Sequence, residues 1–166
     1  MADHKALISD GGQNKRVPDA DSLIVGAGAK TVAGGSLGRQ HADFEKEADA
    51  AVLTATAERP IFRAEEAVTV TGVHYLPGAA LTGDDANNAT LTVRRRDSAG
   101  ATPVTVASLT TTATPNNSFV AFDAKSLGAL TNTVVGADEV LTFEITKAGT
   151  GVVVPAGELV VNYTIN

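Results

Sequence analysis

The sequence predicts an all-β protein: an antiparallel β-sandwich, jelly-roll or Ig-like, preceded by an extended N-terminal arm. Three observations predict it. Apolar and polar residues alternate in short runs after residue 48, the period of half-buried strands. Thr, a strand former, is confined almost wholly to that part, with only Thr31 before it. Glycines punctuate the first 47 residues too often for a long helix or strand, at Gly11-Gly12, Gly26, Gly28 and Gly34-Gly35.

The division is therefore residues 1–47 as an arm and 48–166 as the sandwich domain. Within the arm, Leu7-Ile8 and Leu23-Ile24-Val25 are short apolar pieces between glycines, and residues 39–47 suit two helical turns. Such a segment buries too little apolar surface to offset its own ordering entropy. It needs support from a neighbouring subunit, or else from its own domain; the first is the favoured expectation. The two acid and base totals in the arm nearly cancel, so shape and apolar contact, rather than long-range attraction, should hold it.

In the second part the expected strands are 50–57, 67–76, 89–96, 103–111, 118–124, 139–147 and 157–165, with a short eighth near Thr133–Val135. The inward residues should be Val68, Val70, Leu91, Val93, Leu141, Phe143, Ile145, Leu159, Val161, Tyr163 and Ile165. Gly72 interrupts the alternation between Val70 and Val73, which predicts a bulge. Turn residues close the connections, as at Pro77-Gly78, Gly83-Asp84-Asp85, Pro115-Asn116-Asn117 and Pro155-Ala156-Gly157.

Composition narrows function. Hydrophobic residues make up 43% of the chain, enough for a core, but aromatics only 4%, with no Trp. A net charge of −6 argues against coating nucleic acid, which requires a basic surface. There is no Cys, so disulfides and thiolate metal sites are excluded. No apolar run is long enough to span a membrane, and the N-terminus lacks the apolar core of a signal peptide.

Signs of chemistry are sparse. His4, His41 and His74 have no metal-ligand spacing, and no nucleophile elbow, P-loop or zinc-protease motif is present. Neither an enzyme nor a cofactor is expected. The loop 83–88 is oxygen-rich, but Asp and Asn are ordinary turn residues, and a plain turn is the favoured reading. Arg94, Arg95 and Arg96 are the densest cations. On a strand Arg94 and Arg96 face one way and Arg95 the other. They suit cross-strand ion pairs or contact with an acidic partner.

The stretch ERPIFRAEEAVTVTGVHYLPGAALTGDDANNATLTVRRRDSAG, followed by VASLTTT, FVAFDAKSL, ADEVLTFEITKAGTG and PAGELVVNYTI, resembles small β-sandwich proteins of tailed bacteriophages, the head decoration (cement) and head fibre proteins. The arm phrase KRVPDADSLIVGAG is similar to segments near the N-termini of phage appendage proteins. The resemblance covers most of residues 10–166 and carries no catalytic residues. It implies a jelly-roll-like virion component on the outer capsid surface, commonly trimeric at three-fold sites. Its partners would be the major capsid protein and neighbouring copies of itself, not nucleic acid or a membrane. Docking residues would be Leu7, Ile8, Leu23, Ile24, Val25, Arg94 and Arg96. The alternatives are a head or tail fibre protein whose sandwich binds a host receptor, and a free carbohydrate-binding module.

Overall fold

Two antiparallel sheets face each other across one apolar interior in the computed structural model, which describes residues 7–10, 13–16, 40–48 and 58–166. No helix occurs among the described residues. The expected strand at 50–57 and the residues Leu23, Ile24 and Val25 lie outside them. A separate two-stranded ladder joins β1 (Leu7–Asp10) to β2 (Gln13–Arg16), with Leu7 opposite Arg16 and Ile8 opposite Lys15.

The remaining strands are β3 (Gln40–Lys46), β4 (Arg59–Arg63), β5 (Val68–Pro77), β6 (Ala89–Arg96), β7 (Val104–Thr110), β8 (Lys125–Ser126), β9 (Val134–Val135), β10 (Val140–Lys147) and β11 (Gly157–Ile165). One sheet runs β3-β11-β5-β8, with β9 also on β5; the other runs β4-β10-β6-β7.

Alternation explains the interior. Val68, Val70, Val73 and Tyr75 of β5 and Leu159 and Val161 of β11 are buried from one sheet. Leu91 and Val93 of β6, Val106, Ala107 and Leu109 of β7, and Leu141, Phe143 and Ile145 of β10 meet them from the other. Tyr163 and Ile165, expected inside, are half-buried at its margin. Two bulges keep the pattern aimed inward. On β11, Asn162 faces Gly72 and Tyr163 faces Val70, so Thr71 is extra and both Val70 and Val73 point into the core. On β7 the partner shifts from Ala107 to Thr105 between Val93 and Arg94, and Val106 and Ala107 are both buried.

Three tilted ring pairs use six of the seven aromatics. Phe44 meets Phe143 at 6.1 Å between centroids, Phe62 meets Tyr163 at 4.9 Å, and Tyr75 meets Phe119 at 5.4 Å. The first two pairs join a strand of one sheet to a strand of the other. Such pairs add stabilisation beyond their buried area.

Two segments differ from the sequence expectation. The helical turns expected over 39–47 do not form among the described residues: Gln40–Lys46 is strand β3, in full register with β11 from Lys46–Gly157 to Gln40–Tyr163. Local composition favours a charged helix, but the ladder pairs backbone groups of β11 and directs Phe44 onto Phe143. The sheet thus begins ahead of residue 48, and the compact unit containing it starts at Arg39. Residues 118–124 are not a strand either. Phe119 alone bridges, exchanging hydrogen bonds with Leu81 at 2.8 and 3.1 Å, and the chain then turns as Asp123 N–H donates to Val120 O at 3.2 Å. The short piece near 133–135 is β9.

A fragment of residues 39–166 should fold in isolation, whereas 48–166, which lacks β3 and Phe44, should unfold at a clearly lower urea concentration by circular dichroism. Equal midpoints would mean that β3 contributes nothing to the sheet. Phe143→Ala, which empties a site only 4% exposed, should cost about 3–5 kcal/mol in the same assay.

Candidate functional site

The outer face of the β4-β10-β6-β7 sheet is polar and small-chained. Thr90 and Thr110 share a hydroxyl hydrogen bond of 2.8 Å, and Thr92 and Ser108 one of 3.3 Å. Glu58, just ahead of β4, lies across this face and gathers its charges. Arg96 grips it with two donors, Nε at 2.9 Å and Nη2 at 2.5 Å. The Thr142 hydroxyl also donates to it, and Arg94 lies 3.9 Å away while bonding Glu144. The Arg96 hydrogen bonds, against the opposing pull of burial, and then Thr142 hold the Glu58 carboxyl down to about 2. On the other side of β6, Arg95 pairs with Glu139 at 3.6 Å and donates to the Val134 carbonyl. Arg94 and Arg96 thus face one way and Arg95 the other, each with a carboxylate partner inside the chain.

The loop 83–88 uses its oxygens on backbone donors. Asp84 Oδ1 accepts the N–H groups of Ala86 and Asn87, both at 2.7 Å, and these keep its carboxyl below the usual range. Asp85 Oδ1 accepts from Ala113 and Thr114 at 2.9 and 3.0 Å. Asn87 Oδ1 accepts the Thr150 N–H and hydroxyl at 2.8 Å. The loop ties three turns together, as an Asx turn does. Gly149 completes the contact: its φ is +62°, and a side chain there would meet Ala86 O at 2.2 Å. Among the described residues, no three metal-ligating side chains are grouped.

His41 lies 3.2 Å from Asp43 on the exposed face of β3, and His74 sits opposite Val160 and Ser126 on β5. These positions do not bring the two histidines together. Leu7 and Ile8 fall on β1, and Arg94 and Arg96 on β6.

A feature absent from the sequence reading is an open groove of about 440 Å³ where the C-terminal ends of β3 and β5 meet the start of β11. Leu76, Pro77 and Phe122 supply its apolar lining, and Glu45, Glu47 and Glu158 its carboxylates. Phe122, the seventh aromatic, is 80% exposed and has φ +62°. A bulky residue at positive φ is an outlier costing on the order of 1–3 kcal/mol. Its N–H donates to Pro77 O at 2.8 Å, which fixes it beside the groove. Glu45 stands directly opposite Glu158, like charges across a ladder. The motif VAFDA reads as alternation, so nothing local distinguished this turn from a strand.

Because the Glu58 carboxyl is depressed when folded, its pairing should stabilise the protein fully above pH 4.5, and that contribution should fade as pH falls through about 2. Glu58→Gln should accordingly be less stable than the native chain near neutrality, and the gap should close in acid. A gap constant from pH 7 to 2, measured by urea unfolding, would show that the charge is immaterial.

No family model, curated protein or solved structure matches the chain.

Proposed function

We propose that the chain is a structural virion protein that decorates and stabilises the outer capsid surface by binding the major capsid protein. In this reading it is a homotrimer, its sandwich is a jelly roll, and residues 1–47 include the extended arm that docks it to the shell and to neighbouring copies.

The strand order carries the reading. One sheet holds β3, β11, β5 and β8, and the other β4, β10, β6 and β7. The first strand of the sandwich lies beside the last, and the chain passes repeatedly from sheet to sheet. That order supports a double-sheet jelly roll, an architecture common in viral capsid domains and lectins. Fold alone does not assign function. The resemblance of the strand and turn motifs to phage decoration proteins supplies the virion, and the chemistry of the surface agrees with it. Among the described residues, the arginines and loop carboxylates serve to lock the sandwich through ion pairs and backbone hydrogen bonds. The net charge of −6 disfavours a nucleic-acid partner. Many small contacts, multiplied by capsid symmetry, would give avidity against internal pressure.

The groove favours one second reading, a head or tail fibre protein whose sandwich binds a host receptor. An exposed aromatic beside hydrogen-bonding carboxylates is the kind of surface such a role requires.

Deleting residues 1–38 should leave the sandwich folded by circular dichroism and abolish co-sedimentation with undecorated capsids of the same virion. Replacing Leu23, Ile24 and Val25 with Ser should do part of the same damage, and binding by the native chain should survive moderate salt. Native occupancy by the truncated chain would show that the arm is not the docking device.

A further inference from the structure

One flank of the sandwich is nearly free of charge. Asp123 and Lys125 are the only charged residues over 98–137, in a chain that is 19% charged. That stretch includes β7, the turn carrying Phe119 and Phe122, β8 and β9. Its second half closes the opening between the two sheets. The Phe122 N–H donates to Pro77 O at 2.8 Å, and Lys125 and Ser126 pair with Tyr75 and His74. The Leu127 N–H donates to Val73 O at 2.9 Å, and Val134 and Val135 pair with Thr69 and Val68. Residues 122–135 thus form a strap along all of β5, about 30 Å for its ten residues. On the other sheet, β7 accepts from the same strap. Thr105 O takes the Thr131 hydroxyl and Asn132 Nδ2, both at 2.8 Å, and Val106 O takes the Thr131 N–H at 2.9 Å.

Leu127 and Val135 of the strap are fully buried, whereas Ser126, Gly128, Ala129, Thr131, Asn132 and Val134 are exposed. Four large apolar side chains are exposed among the described residues, and three of them, Val120, Phe122 and Val134, lie in the uncharged stretch. The charges that border it are balanced. Asp123 and Lys125 are opposite in sign and two residues apart. Arg95, which donates to Val134 O, pairs with Glu139 at 3.6 Å. A surface depleted of charge, with apolar side chains set among small polar ones, has the composition of an interface core.

We propose that this flank is where copies of the chain meet one another, flank against flank. The charge balance selects that occupant. The chain carries −6, so contact through its acidic surface sets like charges together. The flank, with one Asp and one Lys, brings two copies together without that repulsion. A basic partner would find its complement on the acidic parts of the surface instead. The inference rests on the reading of the chain as self-associating, given above, and adds the surface that does it. It does not depend on the assembly being a capsid.

The test is sedimentation velocity of the full chain from about 1 to about 100 µM. The native chain should associate, and association should hold or strengthen as added salt screens the net charge. Phe122→Asp with Val134→Glu puts two carboxylates on the flank, and Asp tolerates the positive φ at position 122. That pair should raise the concentration of half-association at least tenfold. Ala129→Glu, at an exposed position of the strap, should raise it at least threefold. Thr146→Glu with Val153→Glu adds the same charge at exposed positions outside residues 98–137 and should leave it within twofold. Circular dichroism and the thermal midpoint check that the sheets of each variant are intact; should the first pair lose them, Ala129→Glu decides. Association unchanged by the flank variants would overturn the choice of surface and leave the homotrimer standing. Equal weakening by the Thr146 and Val153 changes would overturn it too, since added charge alone would then be the cause. A native chain still monomeric at about 100 µM would sink both the flank contact and the solution homotrimer.

Discussion

Strand β11 lies between β3 and β5, and its register with both sets what each face of that sheet can present. With Leu159 opposite Phe44 and Tyr75, and Val161 opposite Ala42 and Val73, the inward residues of three strands align. A slip of one residue would turn Glu158, Val160 and Asn162 to the interior. The bulge at Thr71–Gly72 absorbs the mismatch that would otherwise force such a slip. A side chain at Gly72 would lie 2.9 Å from the His74 ring, so the bulge also depends on that residue's lack of one. Gly157 has the same importance at the start of β11, where a side chain would meet Leu76 O at 2.4 Å and the Tyr75 ring at 2.8 Å. The buried Tyr75 hydroxyl reaches Pro155 O at 2.6 Å and anchors the approach to the strand. The rest of the core, and the groove at the strand's beginning, follow from this pairing.

The interior is made of Val, Leu, Ile and Ala with few rings, and two of the three ring pairs, Phe44–Phe143 and Phe62–Tyr163, join a strand of one sheet to a strand of the other. The outer polar groups add order rather than reactivity. Glu58 draws Arg94, Arg96 and Thr142 to one point, and Asp84, Asp85 and Asn87 bind three turns. The apolar side chains left outside, Val120, Phe122, Val134 and Val153, are the exposed exceptions.

The strands whose period is strict were legible from sequence: β5, β6, β7, β10 and β11 fall within a residue or two of their expected bounds. The bulge at Gly72 was legible too, because two inward valines three apart cannot share a face without one. What escaped was set by distant partners. Residues 40–46 are charged and locally ambiguous, and they are a strand because β11 pairs with them. Residues 118–124 alternate well, yet the hydrogen bond from Phe122 to Pro77 turns them out of the sheet. The opposed orientation of Arg94 and Arg96 against Arg95 followed from strand geometry, but their partners did not. Glu58 is 36 residues from Arg94 in sequence and joins it only through the arrangement of β4, β10 and β6. The groove was invisible for the same reason: its three carboxylates come from β3, the residue just past it and β11, which lie far apart in sequence.

The central claim is that this chain is a repeated external component of a capsid. An electron-microscopic reconstruction of virions with and without the chain tests it most directly. The account predicts difference density on the outer shell at three-fold related positions, three copies to each, with the sandwich outermost and the arm along the capsid surface. Difference density confined to the tail or a fibre tip, or none on the shell, would contradict it.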